Sequence, residues 1–180
     1  MKSVLTFLLA LTVVWASSGV AVAADGAEYM AKVITKLDSY VSWDESKSFE
    51  GNGKYLVISA VGDTPLITSL QEFNRQKTSS GKRIKVRVVD PKALPANSHI
   101  LVLSTTDSEF VKSATTKLRG TGTLVVSQGA GFGQMGSSLN LVEEAEGDET
   151  KVVIELNVEA AKSEGLSVKP SLLKIAKVLK

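Results

Sequence analysis

KYLVISAVGDTPLITSLQEF, running from Lys54 to Phe73, is the stretch on which the fold turns. Lys54 to Val61 is an apolar, β-rich run of strand length. Gly62-Asp63-Thr64-Pro65 breaks it, with Thr64 or Asp63 as N-cap and Pro65 at the first helical position, where its missing N–H is not needed. Leu66, Ile67, Leu70 and Phe73 then recur at helical spacing and give that helix one apolar face. A strand running straight into a helix is half of a crossover unit, the building block of parallel sheets.

The alternation continues on both sides. Upstream, Met30, Val33, Ile34, Leu37 and Val41 predict a helix from Glu28 to Val41. Downstream, Ile84, Val86 and Val88 alternate with Arg83, Lys85 and Arg87, the period of a half-exposed strand. His99 to Ser104 is a continuous apolar run, as in a strand covered on both faces. Asp107 or Thr106 caps a helix carrying Phe110, Val111, Ala114 and Leu118, and Gly120 stops it. Thr123 to Ser127 is a short strand, and Gly129 to Gly136 a glycine-dense loop. Ser138 to Val142 and Lys151 to Leu156 read as a hairpin joined by a long acidic turn, Glu143 to Thr150. Asn157 caps a short helix, and Pro170 opens a last one, Ser171 to Val178. The sum is an α/β fold: a three-layer, Rossmann-like, mixed and mostly parallel sheet, helices on both faces, with a C-terminal β-hairpin plus helix.

The N-terminus assigns the compartment. Lys2, the apolar run Val4 to Trp15 and the small residues Ala21-Val22-Ala23 form the three parts of a secretory signal over residues 1–24, cut after Ala23 or Ala24. The run is shorter than the roughly 20 residues that span a bilayer, which disfavours an uncleaved anchor. About 155 residues remain, one domain over 25–180. Charges nearly balance, 21 basic against 19 acidic, so no net field favours nucleic acid. There is no cysteine and a single histidine, so neither disulfides nor a transition-metal site is expected.

Gly131-Phe132-Gly133-Gln134-Met135-Gly136 is a literal GxGxxG. A dinucleotide site needs a helix next, whereas Ser137 onward alternates like a strand, so a turn-making loop is the better reading. His99 has no nucleophile motif to serve. The acidic run from Glu143 lacks the ligand spacing of a calcium loop. Lys82, Arg83, Lys85 and Arg87 suit an edge strand that must repel other edges, and no aromatics are interleaved for stacking on bases. The apolar and lysine-rich C-terminus reads as a core-closing amphipathic helix. Tyr40 and Trp43 lie beside a loop, as interface anchors often do, with a core plug the equal alternative.

Several segments together resemble the YfiR family of periplasmic proteins. They are Tyr40-Val41-Ser42-Trp43, Ile58 to Gly62 with Pro65-Leu66, His99-Ile100-Leu101, Gly131 to Gly136 with Leu139-Asn140-Leu141-Val142, and Ile154-Glu155-Leu156-Asn157. The last continues through Gly165-Leu166 to Leu172-Leu173-Lys174-Ile175-Ala176. The resemblance implies a non-catalytic regulator that binds the periplasmic part of an inner-membrane sensor, a diguanylate cyclase or kinase, and restrains cyclic-di-GMP signalling and biofilm output. Asp44 stands where the family pattern has proline, and the absent cysteines remove any redox gating by disulfides.

The expectation is therefore a periplasmic binding protein, with no cofactor and no metal. Its candidate contacts are Trp43, Phe132, Gln134 and Met135. Gly131, Gly136, Asn140, Glu155 and Asn157 follow the family pattern, with structural and functional roles both open. A second copy of the chain is a further candidate partner. The alternative is a small-ligand binder using the mouth of the glycine loop.

Overall fold

A computed structural model describes residues 19–44, 46–51, 53–147 and 149–180. The first eighteen residues of the expected signal lie outside the described ones. Helix α1 spans Gly19–Thr35 and a short 3-10 turn follows at Leu37–Ser39. The expected helix therefore ends six residues early. The Thr35 hydroxyl turns back onto the Lys32 carbonyl at 3.1 Å, and the chain tightens there. Its inward stripe survives the change, since Met30, Ile34, Leu37 and Val41 are all buried.

Strand β1 (Val41–Ser42) pairs antiparallel with β8 (Ser167–Val168) as a small separate ribbon. The main sheet has seven strands: β2 (Tyr55–Val61), β3 (Arg83–Val88), β4 (Ile100–Leu103), β5 (Leu124–Gln128), β6 (Leu139–Glu146), β7 (Glu149–Leu156) and β9 (Lys177–Val178). Their order is β3-β2-β4-β5-β6-β7-β9, parallel except for the antiparallel β6–β7 pair. Helices α2 (Pro65–Glu72), α3 (Ser108–Lys117), α4 (Val158–Ser163) and the one-turn α5 (Pro170–Leu173) complete the fold.

The central strands are buried on both sides because each of their faces meets a different apolar layer. Ile100, Val102, Leu124 and Val126 face a large core shared with α1, α2 and residues of α4 and α5. Leu101, Leu103 and Val125 face a smaller core built on Val111 and Ala114 of α3 and on Leu118 at its C-cap. This is the expected three-layer α/β arrangement, with β3 at one edge of the sheet.

Two C-terminal expectations are corrected. The acidic stretch is not a long turn: β6 and β7 pair out to Glu146 and Glu149. Gly147 has φ +66°, the left-handed geometry such a tight reversal requires. The last helix stops at Leu173, and Lys177–Val178 instead adds a parallel strand to β7.

Candidate functional site

The parallel strands present two ends, and the residues singled out in the sequence divide between them. At the C-terminal end of β5, Gly129, Gly131 and Gly136 take positive φ of +136°, +81° and +99°, which lets the chain double back in so few residues. Between them Phe132–Met135 forms a 3-10 turn. The literal GxGxxG therefore opens into β6, not into a helix.

Beneath this loop the family-pattern residues meet. Asn140 sits directly opposite Glu155 in the β6–β7 register. Its Nδ2 donates to the Gly129 carbonyl at 2.7 Å and to Glu155 Oε2 at 2.9 Å, and its Oδ1 accepts from the Ser127 hydroxyl at 2.9 Å. Glu155 Oε1 pairs with Lys177 at 3.2 Å. Asn157 accepts from Ala160 N–H as the cap of α4 while its Nδ2 donates to the Gly133 carbonyl at 3.1 Å. Apart from Asn157 Oδ1, which caps α4, and Glu155 Oε1, which holds β9, these arms hold the loop or the strands that carry it. A buried polar group left without such partners would cost free energy.

Phe132 is held by the loop but not displayed by it. Its ring is 7% exposed and completes the smaller core against Leu101, Leu103 and Val111. Gln134 is exposed, and Met135 is half-buried with its carbonyl accepting from Thr115 Oγ1 at 3.0 Å. A surface depression of about 470 Å³ runs from these two residues along α3, past Lys112 and Arg119.

Trp43 lies at the opposite end of the sheet, before the start of β4. Its indole Nε1 donates to the His99 carbonyl at 3.0 Å. The His99 ring is edge-on to Trp43 at 5.6 Å and stacked on Phe49 at 4.5 Å. The Lys82 ammonium stands 5.9 Å from the centre of the indole. These residues line an open groove of about 650 Å³ together with Asp38, Asp44 and Ser48. Sequence reasoning found Trp43 alone. Asp38, Phe49, Lys82 and His99 come from four separate segments, and no spacing joins them.

The His99 Nδ1 accepts from the Val57 backbone N–H at 3.2 Å, so in the neutral ring the proton resides on Nε2. Burial and, secondarily, the Lys82 charge hold its pKa down to about 4. Asp44 stays below the usual carboxylate range, first through the Ser46 backbone N–H at 2.8 Å. Near the sheet edge Glu50 is lowered by its bond to Lys85, while burial pushes Glu164 up against the donors of the Gly120–Gly122 turn. The groove thus offers fixed donors, acceptors and an aromatic wall. Its histidine is neutral and tied to the backbone, which suits recognition better than proton transfer. Among the described residues no three metal-ligating side chains cluster.

Residues 27–177 match the YfiR/HmsC-like family. Among solved structures the chain is similar to a conserved domain protein from Vibrio cholerae O1 biovar El Tor, with a TM-score of 0.55 at 13% identity. The alignment covers 86% of this chain and 60% of that one, and at this identity the likeness is one of fold. No curated protein sequence matches.

Proposed function

The chain belongs to the YfiR/HmsC-like family, and from that premise we propose that it is a periplasmic regulator that binds the outer portion of an inner-membrane sensor. The sensor's output domain, in this reading, is a diguanylate cyclase, and binding holds cyclic-di-GMP synthesis and biofilm formation down. The observation that carries the reading is the family match itself, which spans nearly the whole chain after the expected signal. The site chemistry agrees with it. Asn140, Glu155 and Asn157 are spent on supporting a loop that presents Gln134 and Met135, which is what a docking surface needs from its scaffold. No helix of the described residues is long and apolar enough to cross a membrane, so in this account the signal supplies export and the sensor supplies the membrane. A bound domain shifts a partner's equilibrium only by binding its two states unequally, and no reactive group is required.

The test is capture of detergent-solubilised inner-membrane proteins on the immobilised protein, with cyclic-di-GMP measured in cells lacking it. Recovery of one sensor carrying a cyclase domain, lost in the double variant Gln134→Ala/Met135→Ala, together with raised cyclic-di-GMP, is the expected result. Unchanged cyclic-di-GMP and no sensor recovered would overturn the reading.

A further inference from the structure

We propose that the β3 margin is a docking surface for an anionic phospholipid membrane, held by Arg75, Lys77, Arg83 and Lys85. The proposal rests on the periplasmic placement above and needs no particular sensor. In the sequence, the basic run of β3 suited an edge strand that must repel other edges. The structure removes that reason. Arg75 N–H donates to the Ile84 carbonyl, Ile84 N–H to the Gln76 carbonyl and Thr78 N–H to the Lys82 carbonyl, each at 2.8 Å. The edge is already paired by the chain that precedes it, so its charges answer to something else.

Those charges do the fold itself no service. An isolated antiparallel bridge sets Lys77 opposite Arg83, and like charges facing each other across strands are destabilising. Arg75 joins them in a depression of about 340 Å³ that Tyr55, Asn74, Arg83, Ile84 and Lys85 complete, with no carboxylate in its lining. Its backbone sits at φ +72°, a left-handed geometry that glycine adopts freely and a Cβ resists. Lys85 shares one carboxylate, Glu50, with Arg87, so even the paired part of this face keeps a positive excess. Among the described residues no carboxylate pairs with Arg75, Lys77 or Arg83.

The ligand's class follows from sign, fork and shape. Guanidinium groups grip phosphate oxygens two at a time. All four cations are exposed along one margin, which meets an array of phosphates better than it encloses a single ion. The acidic hairpin does not cancel them. Glu143, Glu144 and Glu146 lie on β6, with β5, β4 and β2 between it and β3. Strand spacing makes that roughly 19 Å, beyond the screening length of about 8 Å at physiological salt. An anionic surface therefore attracts the β3 margin and repels the hairpin, which fixes how the molecule lies beside the membrane.

The exported protein, its signal removed, is sedimented with vesicles of phosphatidylcholine alone and with vesicles that also contain phosphatidylglycerol, at low and at physiological salt. The expected result is binding to the anionic vesicles only, weakened by salt. Each basic residue at such a surface contributes about fivefold, so Arg75→Gly/Arg83→Gln should weaken binding about 25-fold. Arg75→Gly alone should weaken it about fivefold with thermal stability kept or raised, because glycine relieves the left-handed backbone. A folding defect cannot then explain the loss. Lys174→Gln/Lys180→Gln removes as many charges beside β9, at the opposite margin, and should bind as the native protein does. The vesicles hold no sensor, so this outcome and that of the capture experiment are independent. The proposal is overturned if both vesicle types bind alike or neither binds, or if the opposite-margin variant loses as much. It is also overturned if inorganic phosphate or a glutamate-rich peptide occupies Arg75 and Arg83 while the anionic vesicles do not.

Discussion

His99 shows how much one side chain decides in this molecule. Its ring is buried, its Nδ1 accepts the Val57 N–H, and its pKa is about 4 instead of the 6.5 of a free histidine. The folded pKa is depressed, so the neutral ring contributes stability that is fully present above pH 6.5 and lost as pH falls towards 4. Each unit is about 1.4 kcal/mol, so the loss is at most about 3–4 kcal/mol, less whatever solvent in the open groove screens. Lys82, Lys47, Asp38 and Asp44 also face this groove. Buried Glu164 works in the opposite sense, because its raised pKa favours the protonated folded state as pH drops. The two are separated by His99→Asn, whose Oδ1 keeps an acceptor for Val57 without titrating. We expect the urea midpoint of the native protein to fall between pH 6.5 and 4 and that of the variant to fall measurably less; equal slopes would refute it. None of this was visible in the sequence. His99 opened an apolar run, but its partners Val57 and Phe49 lie far along the chain, and only the parallel pairing of β2 with β4 brings them together.

At the scale of elements, the sequence was most legible where burial imposes a period. Lys54 to Phe73 read as strand and helix, and the structure has β2 and α2 there with Pro65 at the helix start. Legibility failed where both faces of an element are wet or where main-chain pairing outcompetes a weak helix. The outer half of the β6–β7 hairpin is exposed on both sides, so its alternation carried no signal of strand. Past Leu173 the spacing suggested a helix, yet Leu173 and Ile175 are 40% and 59% exposed. A short helix is marginal in water, whereas the edge of β7 offers backbone bonds and Glu155 a partner for Lys177. The site residues Asn140 and Glu155 are fifteen positions apart and became a pair only through register. Gly133 links the loop to this last strand: a Cβ there would lie 2.4 Å from Leu179 Cδ1 and 3.4 Å from both Asn140 Cβ and Glu155 Oε2. Gly133→Ala should therefore cost about 1–2 kcal/mol by overpacking. Much of that cost resides in one flexible side chain, so Leu179→Ala should recover part of it in a double-mutant cycle. Strict additivity in chemical denaturation would show that the loop and the terminal strand are not in contact.

For the whole molecule, stability is graded outward from the middle of the sheet. All four residues of β4 are buried, as are Leu124 to Ser127 of β5, and they bind both apolar layers into one unit. At one margin β3 is shielded because the chain folds back on it: Arg75 N–H donates to the Ile84 carbonyl and Ile84 N–H to the Gln76 carbonyl, each at 2.8 Å. At the other margin β9 contributes only two residues, and Leu179 N–H donates to the Leu156 carbonyl at 2.9 Å. Amides of Leu101, Val102, Val125 and Val126 should therefore exchange with deuterium only through global unfolding. Those of the outer hairpin and of Leu179 should exchange by local opening, orders of magnitude sooner. Phe132 supplies the discriminating perturbation, since its ring closes the smaller layer under the glycine loop. Phe132→Ala should lower global stability by about 3–5 kcal/mol. It should speed exchange of the four central amides by the matching factor while the hairpin tip, already governed by its own opening, stays unchanged. Acceleration of the tip in step with the centre would mean that the sheet opens as one cooperative block and that the second layer does not act through the central strands alone.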